Sequence, residues 1–220
     1  MPQSLVIQVG QAGNQIGSRF WTQCLEEHAA QHNPTAIYDA PLATFFSNHG
    51  PDSSATSSGS PIHSLRARGI MVDMEVGVIQ NVPPLLHELF SDPSQRITAT
   101  DGSGNNWAVG HHHYGPLFHD HLANSIRKQA EMCDSLQSVF LVHSLGGGTG
   151  SGLGTYLAGV LRDEIAPEAY QFATVVAPSR TSDDVVTSPY NAVLALKQLG
   201  EYADAVLPVD NEALVQACGG

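Results

Sequence analysis

Three groups of residues have types and spacings that could do chemistry. The first is HSLGGGTGSGLGTY, His143–Tyr156. Five glycines fall within the nine residues Ser144–Gly152. Before them runs the apolar, β-prone SVFLVH; after them, TYLAGVLRDEI has a helical pattern. Glycine in a regular element costs backbone entropy, so a cluster this dense implies that the backbone itself must approach something. A glycine-rich turn entering a helix offers unpaired N–H groups and the positive end of the helix dipole, which suit phosphate. Ser144, Thr149 and Ser151 add hydroxyls. The second group is Asp73 and Glu75, two apart in GIMVDME, so both can point to one side of a strand. Beside a phosphate cradle, two carboxylates suit magnesium, which combines them with phosphate oxygens and water; by themselves they would read as an acidic pair facing solvent. The third is Asn211. Its amide can both donate and accept, as a purine edge requires, and it could equally cap the helix begun by EALV.

Other chemistries lack their patterns. The Walker A spacing G-x-x-x-x-G-K-[ST] is absent, and the glycine cluster fits G-x-G-x-x-G in no register. There is no G-x-S-x-G elbow for a hydrolase. His111–His113 are adjacent and so fan out; with no Cys or acidic residue spaced to join them, they read as a loop rather than a metal site. Cys24, Cys133 and Cys218 form no CxxC pair, and the first two fall on apolar helix faces that read as core. A net charge of -12 with nine basic residues leaves no basic stripe, which excludes a general nucleic-acid binder. The first residues, MPQSLVIQVGQ, lack the pattern of a signal peptide, and no apolar run approaches the ~20 residues of a membrane span. The chain reads as soluble and intracellular.

The elements that must position these groups are set by periodicity. SLVIQVG (Ser4–Gly10), GIMVDME (Gly69–Glu75), SVFLVHS (Ser138–Ser144), FATVVAP (Phe172–Pro178) and AVLPVDN (Ala205–Asn211) read as strands. Helical patterns separate them: Asn14–His28, with Ile16, Phe20 and Cys24 and, beside them, Trp21 and Leu25 at helical spacing, then PPLLHELF, Phe118–Cys133 and Pro189–Ala203. Residues 47–61, rich in Gly, Pro and Ser, read as a solvated, flexible insertion, and TDGSGNNWAVG (Thr100–Gly110) as a second glycine-rich loop. Continuously apolar strands alternating with helices imply an α/β fold: a Rossmann-like, mostly parallel sheet with helices on both faces. In such sheets ligands bind beyond the carboxyl ends of the strands. All five of those ends here carry glycine, amide, hydroxyl or carboxylate groups, which describes a ligand site.

GQAGNQIGSRFW, DME, GSGNNWAVGH, HSLGGGTGSGLGT, SPYNAVLAL and DNEAL, in this order, resemble the tubulin N-terminal GTP-binding domain over nearly the whole chain. Within that family, the MPQS start, the Ser/Gly/Pro insertion, SDDVVTSPYN and VLPVDN look most like the epsilon class; a delta-like or other divergent tubulin stays an alternative. The resemblance implies GTP or GDP and Mg2+ as ligands. Gln11 would contact phosphate and magnesium-bound water, Asn105 would contact phosphate, and Ser144, Gly148, Thr149 and Gly150 would form the phosphate loop. Glu75 would hold magnesium through water, with Asp73 beside it. Asp184 would lie near the ribose and Asn211 would read guanine. Two departures stand out: Ala12 replaces the cysteine of conventional tubulins, and Ser188 stands where they place a ribose-contacting glutamate. Other tubulin subunits and centriolar proteins would be the partners, and the cytoplasm, cytoskeleton and the centriole or basal body the location, with no membrane or nucleic acid involved. The expectation is a single GTP-binding domain over residues 1–220. The family's second domain, C-terminal helices and the acidic loop that completes GTP hydrolysis on a neighbouring subunit would lie beyond Gly220, so no catalytic residue is assigned. The rival reading is a free-standing Rossmann-like nucleotide-dependent enzyme, for which no base or nucleophile stands in a recognisable setting.

Overall fold

A computed structural model of the chain describes residues 2–32, 36–52, 54–179 and 185–218. In chain order its elements are β1 (Gln3–Val9), α1 (Gly10–His32), α2 (Ala40–Phe45), β2 (Phe46–His49), β3 (Ser64–Ala67), β4 (Gly69–Asp73), α3 (Val76–Gln80), α4 (Pro84–Leu89) and β5 (Arg96–Thr98). Then come α5 (Gly115–Glu131), β6 (Leu136–Ser144), α6 (Gly154–Val160), β7 (Tyr170–Ala177), α7 (Ser188–Tyr202), β8 (Ala205–Asp210) and α8 (Asn211–Ala217). Wider, π-type helical turns at Val109–Tyr114 lead into α5, and two more at Thr149–Leu153 and Leu161–Ile165 flank α6.

Six strands form one sheet in the order β5-β4-β1-β6-β7-β8. Every pairing in it is parallel. The chain leaves β1 toward β4 and β5 and then returns to β6 on the other side, so its direction of travel reverses between β1 and β6. That is the switch point of a doubly wound sheet, where ligands bind. All seven residues of β1 are buried, as a central strand covered on both faces requires. Alternation still sorts them. Leu5, Ile7 and Val9 join Leu122, Ile126, Leu157 and Leu199 in one core layer. Val6 joins Trp21, Leu42, Leu86 and Phe90 in the other, where Trp21 meets Phe46 and Phe90 edge to face.

Three expectations are corrected. First, α1 starts at Gly10, directly after β1, and buries Gly13, Asn14 and Gly17 beside the expected Trp21, while Ile16 is exposed. Small residues face the sheet because the helix lies close against it: a Cβ on Gly17 would collide with the buried Gln8 side chain. Second, residues 47–61 are not a solvated loop throughout. Ser47, Asn48 and His49 are buried in β2, which pairs antiparallel with β3. Asn48 organises the connection from β2 to β3, donating to Thr56 Oγ1 at 2.7 Å and to the Pro61 carbonyl at 2.8 Å while accepting from the His63 N–H at 2.9 Å. Polar composition hid this, because the segment folds around one buried amide rather than around apolar side chains. Third, His111–His113 are helical, within Val109–Tyr114. His111 stacks on Trp107 with ring centroids 4.5 Å apart.

Cys24 and Cys133 are half-buried free thiols. Among the described residues no helix is long and apolar enough to cross a membrane. Gly200 sits exposed near the end of α7, and a Cβ there would meet nothing within 4 Å. Gly200→Ala should therefore raise the unfolding free energy by ~0.5–1 kcal/mol through lower unfolded-state entropy. Urea titration checks this; an unchanged or lower midpoint would show that the glycine is needed.

Candidate functional site

At the carboxyl ends of β1, β4 and β6 lies a cavity of about 260 Å³. The first two turns of α1 contribute Gly10, Gln11, Ala12 and Gln15; β4 contributes Asp73, with Glu75 just beyond it. The segment after β5 supplies Ser103, Gly104 and Asn105, the end of β6 supplies Ser144, and the turn after it supplies Gly147–Gly150. Gln11, Asp73, Glu75, Asn105, Ser144, Gly148, Thr149 and Gly150, singled out from the sequence, thus surround one space. Asp184 lies outside the described residues, as does the side chain of Asn211. The capping role weighed for Asn211 belongs to Asp210, whose carboxylate accepts from the Glu212 and Ala213 N–H groups.

In the glycine-rich motif, Gly148 and Gly150 are needed for close approach rather than for left-handed backbone. Gly148 has φ -77°. A Cβ there would stand 2.5 Å from both the Asn106 nitrogen and the Ser103 hydroxyl, and one on Gly150 would stand 2.6 Å from the Ser144 hydroxyl. The left-handed backbone of the site lies elsewhere. Gly10 has φ 74°, and a Cβ on it would come within 3.0 Å of the Gly150 nitrogen. Asn105 has φ 51°. The β1–α1 turn, the 103–106 segment and the turn after β6 therefore pack backbone to backbone. Ser103 and Thr149 share a hydrogen bond between hydroxyls at 2.8 Å.

Asp73 is the anomalous acid. It is 3% exposed, and one carboxylate oxygen accepts the Glu75 N–H at 3.3 Å. The other, Oδ2, has no hydrogen-bond partner. Burial, reinforced by the neighbouring Glu75 charge, pushes the carboxyl up to about 6 against the backbone N–H bonds that favour ionisation. An unpartnered buried carboxylate is costly, and a cation beside it would reverse that cost. Glu75 is exposed, and its side chain lies over Gly102, whose Cβ position is 2.9 Å from Glu75 Oε1. The donors are hard oxygens, with no histidine or thiol among the cavity's lining, so the set fits magnesium rather than a softer metal. Among the described residues no group of three or more His, Cys, Asp or Glu side chains is placed to hold a metal ion, so remaining ligands would have to come from phosphate and water.

Two supports were not apparent from the sequence. Ser103 is buried behind Thr149, and Asn191 of α7 bonds to the backbone of both glycine-rich segments. Each sits inside a motif visible in the sequence, GSGNNWA or SPYN, but only the fold shows what its side chain touches. Ser188 is 1% exposed, turned toward the Gly146 carbonyl at 3.4 Å.

The family model for the tubulin/FtsZ family, GTPase domain, matches residues 3–219. The chain belongs to the tubulin/FtsZ family. Among curated members it is 51% identical to the mouse tubulin epsilon chain over 220 residues and 52% identical to the human one over 219, in each case 97% of this chain. It is 39% identical to the tubulin beta chain of Porphyra purpurea over 216 residues, 96% of this chain. These alignments cover 45% of each relative, so the chain spans about half the length of the tubulins it matches. It is an epsilon-like GTPase domain of that family, and the parallel α/β sheet is the one its membership implies.

Proposed function

We propose that this chain is the guanine-nucleotide-binding domain of an epsilon-like tubulin, a structural constituent of microtubules at the centriole or basal body. The observation that carries the ligand reading is the orphaned carboxylate oxygen of Asp73, buried at a cavity that glycine-rich backbone also lines. Phosphates would lie against Gly148–Gly150, with the Ser144 and Thr149 hydroxyls and the amides of Gln11 and Asn105 around them. Magnesium would sit between the phosphates and the Asp73–Glu75 pair and would neutralise charge that the protein, with nine basic residues in all, supplies few cations to balance. Asn211 would select guanine and Asp184 would face the ribose. Other tubulin subunits and centriolar proteins would be the partners. Hydrolysis of GTP would need an acidic group from a neighbouring subunit, and no residue of this chain is proposed as the base.

Calorimetric titration tests the reading. GTP and GDP should bind, ATP at least ~10-fold more weakly, and chelation of magnesium should weaken GTP more than GDP. Equal affinity for ATP would overturn the guanine assignment.

A further inference from the structure

We infer that Asn191, behind the cavity wall, is a positioning residue for the phosphate end of the nucleotide, because its one amide ties the Asn105 and Trp107 backbone to the turn after β6. This rests on the nucleotide reading above. Asn191 is 4% exposed on α7. Its oxygen accepts the Trp107 N–H at 2.9 Å. Its two amide hydrogens go to different segments: one to the Asn105 carbonyl at 2.8 Å, the other to the Gly146 carbonyl at 2.7 Å. Both donors are used and an acceptor is matched, which no aliphatic, hydroxyl or carboxylate side chain of that size can do.

The partners explain why this bears on binding. Among the described residues Asn105 alone, outside glycine, has a positive φ, a backbone state that an L residue holds only when its surroundings over-determine it. Its carbonyl receives a second donor from the N-terminal end of α7, the Thr187 hydroxyl at 2.7 Å. Asn105 lines the cavity, and Gly146 leads directly into the Gly147–Gly150 stretch that lines it beside Asn105. One buried side chain on a helix thus sets the separation of the two backbone segments that would grip phosphate, without touching the ligand. Precision of this kind comes from a rigid supporting element rather than from the loops themselves.

The test is competition of GTP, GDP and GMP against a fluorescent guanine nucleotide, on the whole 220-residue chain and its variants. Asn191→Ala should weaken GTP and GDP about 10-fold while changing GMP by less than about 2-fold, since polyphosphate contacts alone depend on the spacing. Thr187→Val, which removes only the second donor, should shift the GTP:GMP ratio in the same direction by about 3-fold, and it serves if Asn191→Ala does not fold by circular dichroism. An equal loss for all three nucleotides, or an unchanged GTP:GMP ratio in the folded variants, would make Asn191 merely structural and overturn the inference. If the unaltered chain binds no guanine nucleotide, the functional reading itself fails and takes the inference with it.

Discussion

Gly148→Val should weaken guanine-nucleotide binding by ~100-fold or more while leaving the far-ultraviolet spectrum of the chain unchanged. The first added carbon would stand 2.5 Å from the Asn106 nitrogen and the Ser103 hydroxyl, a distance that backbone cannot accommodate without moving. The 103–106 segment would have to retreat, taking Asn105 out of the cavity and parting Ser103 from Thr149. Overpacking of this kind costs about 1–3 kcal/mol, and here the displaced atoms are the ones proposed to grip phosphate. The sheet and core layers lie below the turn, so secondary structure should persist. Gly77→Ala is the matched control: Gly77 is exposed in α3, and an added Cβ would meet nothing within 4 Å. Titration of both variants with GTP decides the matter. Normal affinity in Gly148→Val would show that the turn after β6 only links a strand to a helix.

The second large effect has opposite signs in the free and liganded protein. Asp73→Asn should make the free chain more stable at pH 7, by ~1–2 kcal/mol, and should abolish the contribution of magnesium to GTP affinity. The buried Asp73 carboxyl is raised from its ordinary 3.8 to about 6. A folded-state value above the unfolded one means a stability contribution fully present below about pH 4 and lost as pH rises through about 6. The native state therefore bears the cost of a buried charge at neutral pH, about 3 kcal/mol for two pK units. The amide removes that charge; its own unpartnered hydrogens return part of the cost.

His143 and His111 act against this trend. Burial holds both imidazoles down at about 4, with the His112 charge adding to the effect on His111. Their contribution is present above the ordinary value of 6.5 and lost as pH falls through about 4. In the unaltered chain the acid and the imidazoles oppose each other between about pH 4 and 6. Asp73→Asn leaves the imidazoles alone, so its stability should climb more steeply over that range. Urea unfolding at several pH values, with and without magnesium and GTP, reads both halves. A variant no more stable at pH 7, with its magnesium dependence intact, would refute the assignment of Asp73.

Much of the site was legible because its parts are local. A glycine-rich turn between an apolar strand and a helix, and two carboxylates at a strand end, are short-range patterns with few physical uses. The strands were legible for the same reason: β1, β4, β6 and β7 are apolar runs bounded by turn residues. The elements that were not legible are held together by distant residues. Strand β5 is three residues long, and β2 carries Ser, Asn and His where a core strand would carry apolar side chains. Neither has a period to detect, and both exist because a neighbour offers a free edge.

By itself, the sequence determined the class of fold, the family and the identity of most groups around the cavity. Strand and helix periods, the glycine cluster and the acidic pair are properties of neighbouring residues and survive without any contact map. Only the tertiary structure decided how those groups act. It set Gly148 and Gly150 as points of close packing rather than of left-handed backbone. It buried Asp73 so that one oxygen lacks a partner, and it brought Asn191 from α7 to the carbonyls of Asn105 and Gly146, 86 and 45 positions away in the chain. The physical reason is that burial, close approach and the cost of an unpaired charge are set by what the rest of the chain brings alongside a residue, and no short stretch of sequence contains that information.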